Sequence, residues 1–150
     1  MLLILMPLLM ASGNSYPTNP EQVVANYLQA LKNADFPDAH RYLSDDMTRG
    51  LDVFIWSVEQ KQIFKRAGVE LHGYKVYEAV IEGDMAKVPN ILSSRDNIFN
   101  KKGSDEYELY TLKLNNGYWY IVRQKLVNEK NEDKWFKKVV FSSEIDPNSK

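Results

Sequence analysis

The periodicity of the chain changes once, near residue 70, and that change constrains the fold more than any other feature. Up to Gly68 the apolar residues recur at helical spacing, and from Leu71 onward they alternate. Helices followed by alternating strands with short turn signals between them predict an α+β domain with an antiparallel sheet.

The helical half opens at Asn19, which can cap a helix, with Pro20 in its first turn and Gln22 completing a capping box. Val23, Val24, Tyr27, Leu28 and Leu31 form one apolar stripe, and the helix should end near Asn33-Ala34. Asp35 and Pro37 open a short second helix with Ala39, Tyr42 and Leu43 as its buried side, broken by Ser44-Asp45-Asp46. A third helix is expected over Leu51 to Ala67, its stripe made by Leu51, Phe54, Ile55, Val58 and Phe64, with Gly68 just past its end.

In the alternating half, Leu71 to Glu82 reads as one strand, Gly83-Asp84 as a two-residue turn, and Met85 to about Ser93 as the return. Pairing Glu82 with Met85 sets Ile81 opposite Ala86 and Ala79 opposite Val88. Pro89 cannot donate to a ladder, which predicts an edge or a bulge there. Ser94 to Ser104 reads as a polar loop. Asn116-Gly117 joins Asp105–Asn115 to Tyr118–Val127, and pairing Asn115 with Tyr118 gives a core face of Leu112, Leu114, Trp119 and Ile121. That register continues with Tyr110 beside Arg123 and Glu108 beside Lys125. Asn128 to Lys134 is charged and loop-like, Trp135 to Phe141 forms a last strand, and the chain frays from Ser142.

A length of 150 residues fits one domain with a real core. There is no Cys, which excludes disulfides, thiolate catalysis and cysteine zinc sites. A net charge of −1 gives no footprint for nucleic acid and no strong case for an anionic membrane surface. Met1 to Ala11 is continuously apolar apart from Pro7, too short to span a bilayer and suited to the apolar region of an export signal. Ala11 and Gly13 supply a small-x-small cleavage pattern, although no Lys or Arg precedes Lys32. The expected organisation is a signal-like segment over 1–13, a linker over 14–18, a domain over 19–142 and a tail over 143–150. The expected address is secreted or extracytoplasmic, with membrane contact only through the first segment if it is retained.

Three words in this order carry a resemblance: Pro20 to Asp35, Glu82 to Val88 with its Gly83-Asp84 turn, and Asn116-Gly117-Tyr118-Trp119-Tyr120-Ile121-Val122. From Asn19 to Val127 the chain resembles exported members of the nuclear transport factor 2-like (cystatin-like) superfamily. The resemblance implies three N-terminal helices packed on a strongly bent antiparallel sheet, forming a cone with a pocket between them. Members include isomerases, cyclases, dehydratases, ligand binders and assembly domains, so the fold does not choose a function. The tail from Asn128 to Lys150 departs from a minimal member.

An isomerase of this kind needs a carboxylate base in an apolar pocket and donors for an enolate oxygen. In the register above, Tyr110, Arg123 and Glu108, with Trp119 on the same face, form a candidate pocket mouth for a small polar or anionic molecule. The plainer reading is a Glu108–Lys125 cross-strand pair and Arg123 packed on Tyr110. His40 and His72 stand apart from any ligand spacing, and no cofactor, metal or catalytic motif is evident. Lys61, Lys65 and Arg66 make the end of the third helix basic, which complements its dipole or forms a partner-docking face. Tyr118 and Tyr120 on the outer sheet face suggest a protein-partner or homodimer surface. The reading that follows is a non-catalytic domain binding a small ligand in its cone or a protein on its sheet; the alternative is an isomerase- or cyclase-type enzyme using a pocket carboxylate.

Overall fold

A computed structural model describes residues 15–137 and 139–145. The apolar segment read as an export signal lies outside the described residues. Four helices precede the sheet: α1 (Pro20–Lys32), α2 (Phe36–His40), α3 (Asp45–Thr48) and α4 (Val53–Ala67). The expected count was three; Ser44 does end α2's segment, but its side chain also caps Met47 N and starts the single turn α3. Asn19 caps α1 by accepting from Gln22 N at 2.8 Å, as the sequence predicts. Asp52 caps α4 through Phe54 N and Ile55 N, and Gly68 closes it with φ +60°.

The strands are β1 (Glu70–Tyr77), β2 (Val80–Glu82), β3 (Met85–Arg95), β4 (Ser104–Asn115), β5 (Tyr118–Leu126) and β6 (Val140–Ile145). They form one antiparallel sheet ordered β5-β4-β3-β1-β6, with β2 beside β3. Between β5 and β6 lies a helix, α5 (Glu129–Phe136), where the sequence reads as a loop. Of the last strand expected from Trp135 to Phe141, Trp135 and Phe136 end that helix instead. The strand comes later and pairs with β1 as far as Gly73↔Ile145, three residues past the expected domain boundary at 142.

The long first strand is broken. Glu82↔Met85 and Ile81↔Ala86 pair as expected, but the ladder stops at Val80↔Lys87 and resumes at Val76↔Asn90. Pro89 sits across from that gap. It is therefore in a central strand rather than at an edge, and its missing N–H is accommodated by the interruption in the neighbouring strand. Ala79 leaves the ladder and donates its N–H to Glu21 Oε1 of α1 at 2.9 Å instead of facing Val88.

The main core joins Val23, Val24, Tyr27 and Leu28 of α1 to Tyr74, Val76, Val88, Tyr110, Leu112, Trp119 and Ile121 of the sheet. The opposite face of the sheet has its own cover. Phe136 of α5 packs edge-on against Tyr77 at 5.3 Å and Tyr107 at 5.0 Å, and Lys87 lies over the Trp135 ring at 5.8 Å. Residues 15–17 are not a free linker. Pro17 is buried, and the Tyr16 hydroxyl donates to Trp119 O at 2.5 Å while its ring contacts Tyr42, Tyr118 and Tyr120.

Candidate functional site

The four candidate residues divide in two. Tyr110, Glu108 and Trp119 are all on the helix-facing side of the sheet, with 1%, 1% and 6% of their surface exposed. Arg123 is exposed and pairs with Thr111, not Tyr110. The cause is one extra residue in β5. The ladder runs Asn115↔Tyr118, Leu114↔Trp119 and Leu112↔Ile121 as expected, then shifts so that Thr111 faces Arg123, leaving Val122 unmatched. A single insertion of this kind reverses the face of every side chain beyond it. Arg123 and Lys125 move to the outer side, and Gln124 takes the place expected for Arg123. The Glu108–Lys125 pair is therefore absent as well; Glu108 faces Leu126.

What forms instead is an uncharged cradle for a buried carboxyl. Asn90 Nδ2 donates to Glu108 Oε2 at 2.8 Å, and Gln124 Nε2 donates to Glu108 Oε1 at 2.6 Å. Tyr27 of α1 closes the group from the helix side, its ring 5.9 Å from that of Tyr110. Burial pushes the Glu108 carboxyl above its usual range, against the pull of the Asn90 and Gln124 hydrogen bonds. Burial, then the nearby Glu108, pushes the Tyr27 and Tyr110 phenols upward too. Asn90 Oδ1 is buried without a hydrogen-bond partner. The sequence held a signal for Asn90: it falls in phase with the inward-facing Ala86, Val88 and Leu92, a polar residue at a core position. Gln124 carried no such signal, because the bulge that brings its amide to Glu108 is unmarked and the residue itself stays exposed.

The carboxyl has the buried, uncharged environment of a catalytic base. Two cavities among the described residues are lined by other side chains. One of 520 Å³ is bounded by Leu43, Ser44, Asp45, Lys113, Tyr120 and Val122. Another, of 360 Å³, lies between Phe36, Lys61, Phe64, Lys65, Glu70 and Asn97. Neither includes Tyr110, Glu108, Arg123 or Trp119.

The third helix of the expectation is present as α4, but it is rotated. Trp56 is its buried anchor at 5% exposure, its ring 5.5 Å from His40, whose Nε2 lies 2.9 Å from Leu51 O. Phe64 packs edge-on against Phe36 at 4.9 Å. Leu51 packs against the core as expected, but Phe54, Ile55 and Val58 of the stripe face solvent at 74%, 47% and 41% exposure. Tyr118 and Tyr120, expected to present a partner surface, are in ring contact with Tyr16, and Tyr118 stays 47% exposed. His72 lies on β1, 4.0 Å from Glu70.

No family model matches the chain, and no curated protein matches it. Solved structures do. The chain is similar to a SEC-C motif containing protein from Rhodopseudomonas palustris, at a TM-score of 0.59 and 14% identity, covering 76% of this chain and 83% of that one. It is similar to the Bdellovibrio bacteriovorus protein Bd1075, at a TM-score of 0.52 and 14% identity over 71% of this chain; the match spans only 39% of that protein. An NTF2-like protein of unknown function from Cytophaga hutchinsonii matches at a TM-score of 0.42 and 14% identity, over 77% of this chain and 94% of that one. At such identities the first two likenesses concern the fold alone. Among the described residues no helix is long and apolar enough to cross a membrane.

Proposed function

We propose that the chain is an exported domain of the nuclear transport factor 2-like kind that works without catalysis, holding a protein partner on its outside. The observation that carries this is the packing of the positions where a ligand would sit: Tyr110, Glu108, Leu112 and Ile121 are 1% exposed or less. A strongly bent, cone-like sheet is supported by the bulges in β5, in β1 and at the β1–β6 pairing, and by the break opposite Pro89. Export is supported by the apolar run Met1 to Ala11 with small residues after it.

The outer sheet face is a poorer partner surface than the sequence suggests, since Tyr16 and α5 already take part of it. The solvent-facing Phe54, Ile55 and Val58 of α4 are a better one, because apolar side chains grouped on one helix face gain by being covered. A photo-crosslinking residue at position 54, in the organism's own cells, tests this. A discrete product that disappears when Ile55 and Val58 become Lys is expected. No product at 54, with a small molecule retained by the purified protein, would contradict it.

The enzyme reading draws on Glu108, whose raised carboxyl has the character a general base or acid needs. It requires an opening beside that carboxyl; the buried Tyr27, Asn90 and Tyr110 close the inner side, and the exposed Gln124 covers the outer one.

A further inference from the structure

The end of the molecule formed by the C-terminus of α4 and the loop between β3 and β4 combines two features that composition conceals. The first is an apolar tip. Ile98 is 54% and Phe99 93% exposed, and the loop that carries them is held in shape from within. Asp96 Oδ1 accepts from the N–H groups of Ile98, Phe99 and Asn100 at 2.7, 2.7 and 3.2 Å. Asp96 N donates to Asn100 O at 3.0 Å, and Asn100 Nδ2 to Ser94 O at 2.9 Å. A loop so braced presents its two apolar side chains outward rather than folding them onto the sheet.

The second feature is charge. Lys101 and Lys102 follow the tip directly. Asn97 N donates to Ala67 O at 2.8 Å, which fastens the loop to the end of α4 beside Lys65 and Arg66. The approach is so close that a Cβ on Gly68 would lie 2.1 Å from Asn97 Nδ2. Lys61, Lys65 and Asn97 line one cavity there. None of Lys61, Lys65, Arg66, Lys101 and Lys102 forms an ion pair among the described residues. Of the acids at this end, Glu70 is engaged with Arg95 at 2.6 and 2.7 Å, Asp96 with the loop backbone and Asp105 with the Ser93 hydroxyl, while Glu106 lies one residue further along β4.

We infer that this end docks on an anionic lipid bilayer, with Ile98 and Phe99 entering the boundary between headgroups and acyl chains and the five cations facing lipid phosphates. An apolar tip ringed by unpaired cations is complementary to that surface, where both parts gain at once. An acidic protein groove would use the cations, but a Phe exposed to this extent at a loop apex suits a yielding apolar layer better. The basic end of α4 thus does more than complement its own dipole. The inference is independent of the Phe54 surface, which begins the same helix.

The test is co-sedimentation of the full chain with vesicles of phosphatidylcholine alone or with one quarter phosphatidylglycerol. Binding should need phosphatidylglycerol and weaken as salt rises. Replacing Lys101 and Lys102 by Ala should weaken it about thirtyfold, at about fivefold per lysine. Ile98→Ser with Phe99→Ser should weaken it at least as much as one lysine does, and Phe54→Ser should leave it unchanged. All variants lie on exposed positions, and circular dichroism checks that each is folded. Equal binding to both vesicles, or binding that survives the loop variants, would assign it to the apolar N-terminal segment and overturn the inference. No binding to either vesicle would overturn it too.

Discussion

Asn90 and Glu108 face each other across β3 and β4 at 0% and 1% exposure, the amide of one donating to the carboxyl of the other at 2.8 Å. Among the described residues no cation completes the group. Burial raises this carboxyl above the usual glutamate range against the pull of its hydrogen bonds, so its pH behaviour reports on the interior.

The sign follows from the proton count. The unfolded chain releases this proton near the ordinary glutamate value of about 4.3. The folded chain keeps it to higher pH, since burial raises the carboxyl. The stabilisation is whole below the unfolded value and is lost as pH rises through the folded one. Urea midpoints between pH 4 and 8 should fall with pH for the natural chain and fall less for Glu108→Gln. Parallel curves would mean the carboxyl titrates normally and is open to water.

The bulge at Val122 predicts which of two adjacent residues matters. Gln124→Ala removes a donor from the buried carboxyl and should cost about 1–2 kcal/mol. Arg123→Ala, on the outer side, should stay within about 0.5 kcal/mol. Denaturation of the two variants distinguishes this register from the unbulged one, which ranks them the other way.

The rotation of α4 gives a similar contrast. Trp56→Ala empties the helix's anchor and should cost about 3–5 kcal/mol. Phe54→Ser should change stability by less than about 0.5 kcal/mol, since the ring lies in solvent. A large loss at Phe54 would restore the stripe expected from the sequence.

On the far face, Phe136→Ala removes ring contacts to Tyr77 and Tyr107 and should lower stability by about 2 kcal/mol. A change below about 0.5 kcal/mol would mean that α5 does not cover the sheet.

Much of this architecture was legible because turn chemistry is local. Asn116 at φ 50° and Gly117 at φ 83° form the turn their identities require, and the first pairs of the hairpin follow from it. The register was lost only at the bulge, where Ile121-Val122-Arg123 looks like any alternating strand. The face of α4 was misread because both of its sides carry apolar residues, and spacing alone does not say which one meets α2; Trp56 and Phe64 do. Charged residues from Glu129 to Lys134 hid α5, a helix whose apolar contacts come from Trp135 and Phe136 at its end. The loop tip at Phe99 and the cations around it were each visible, but only the Asn97–Ala67 contact brings them together.

A filled space between the helices and the sheet would leave an apolar probe nowhere to bind. Xenon or benzene titration, followed by NMR at the Leu112 and Ile121 methyls and the Trp119 indole, tests it most directly, because a dry apolar cavity of about 150 Å³ already binds such probes. A filled interior predicts no saturable shift at these three residues. Saturable shifts there, with contacts from the probe to Tyr110, would show an open cone and return the small-molecule and enzyme readings to the front.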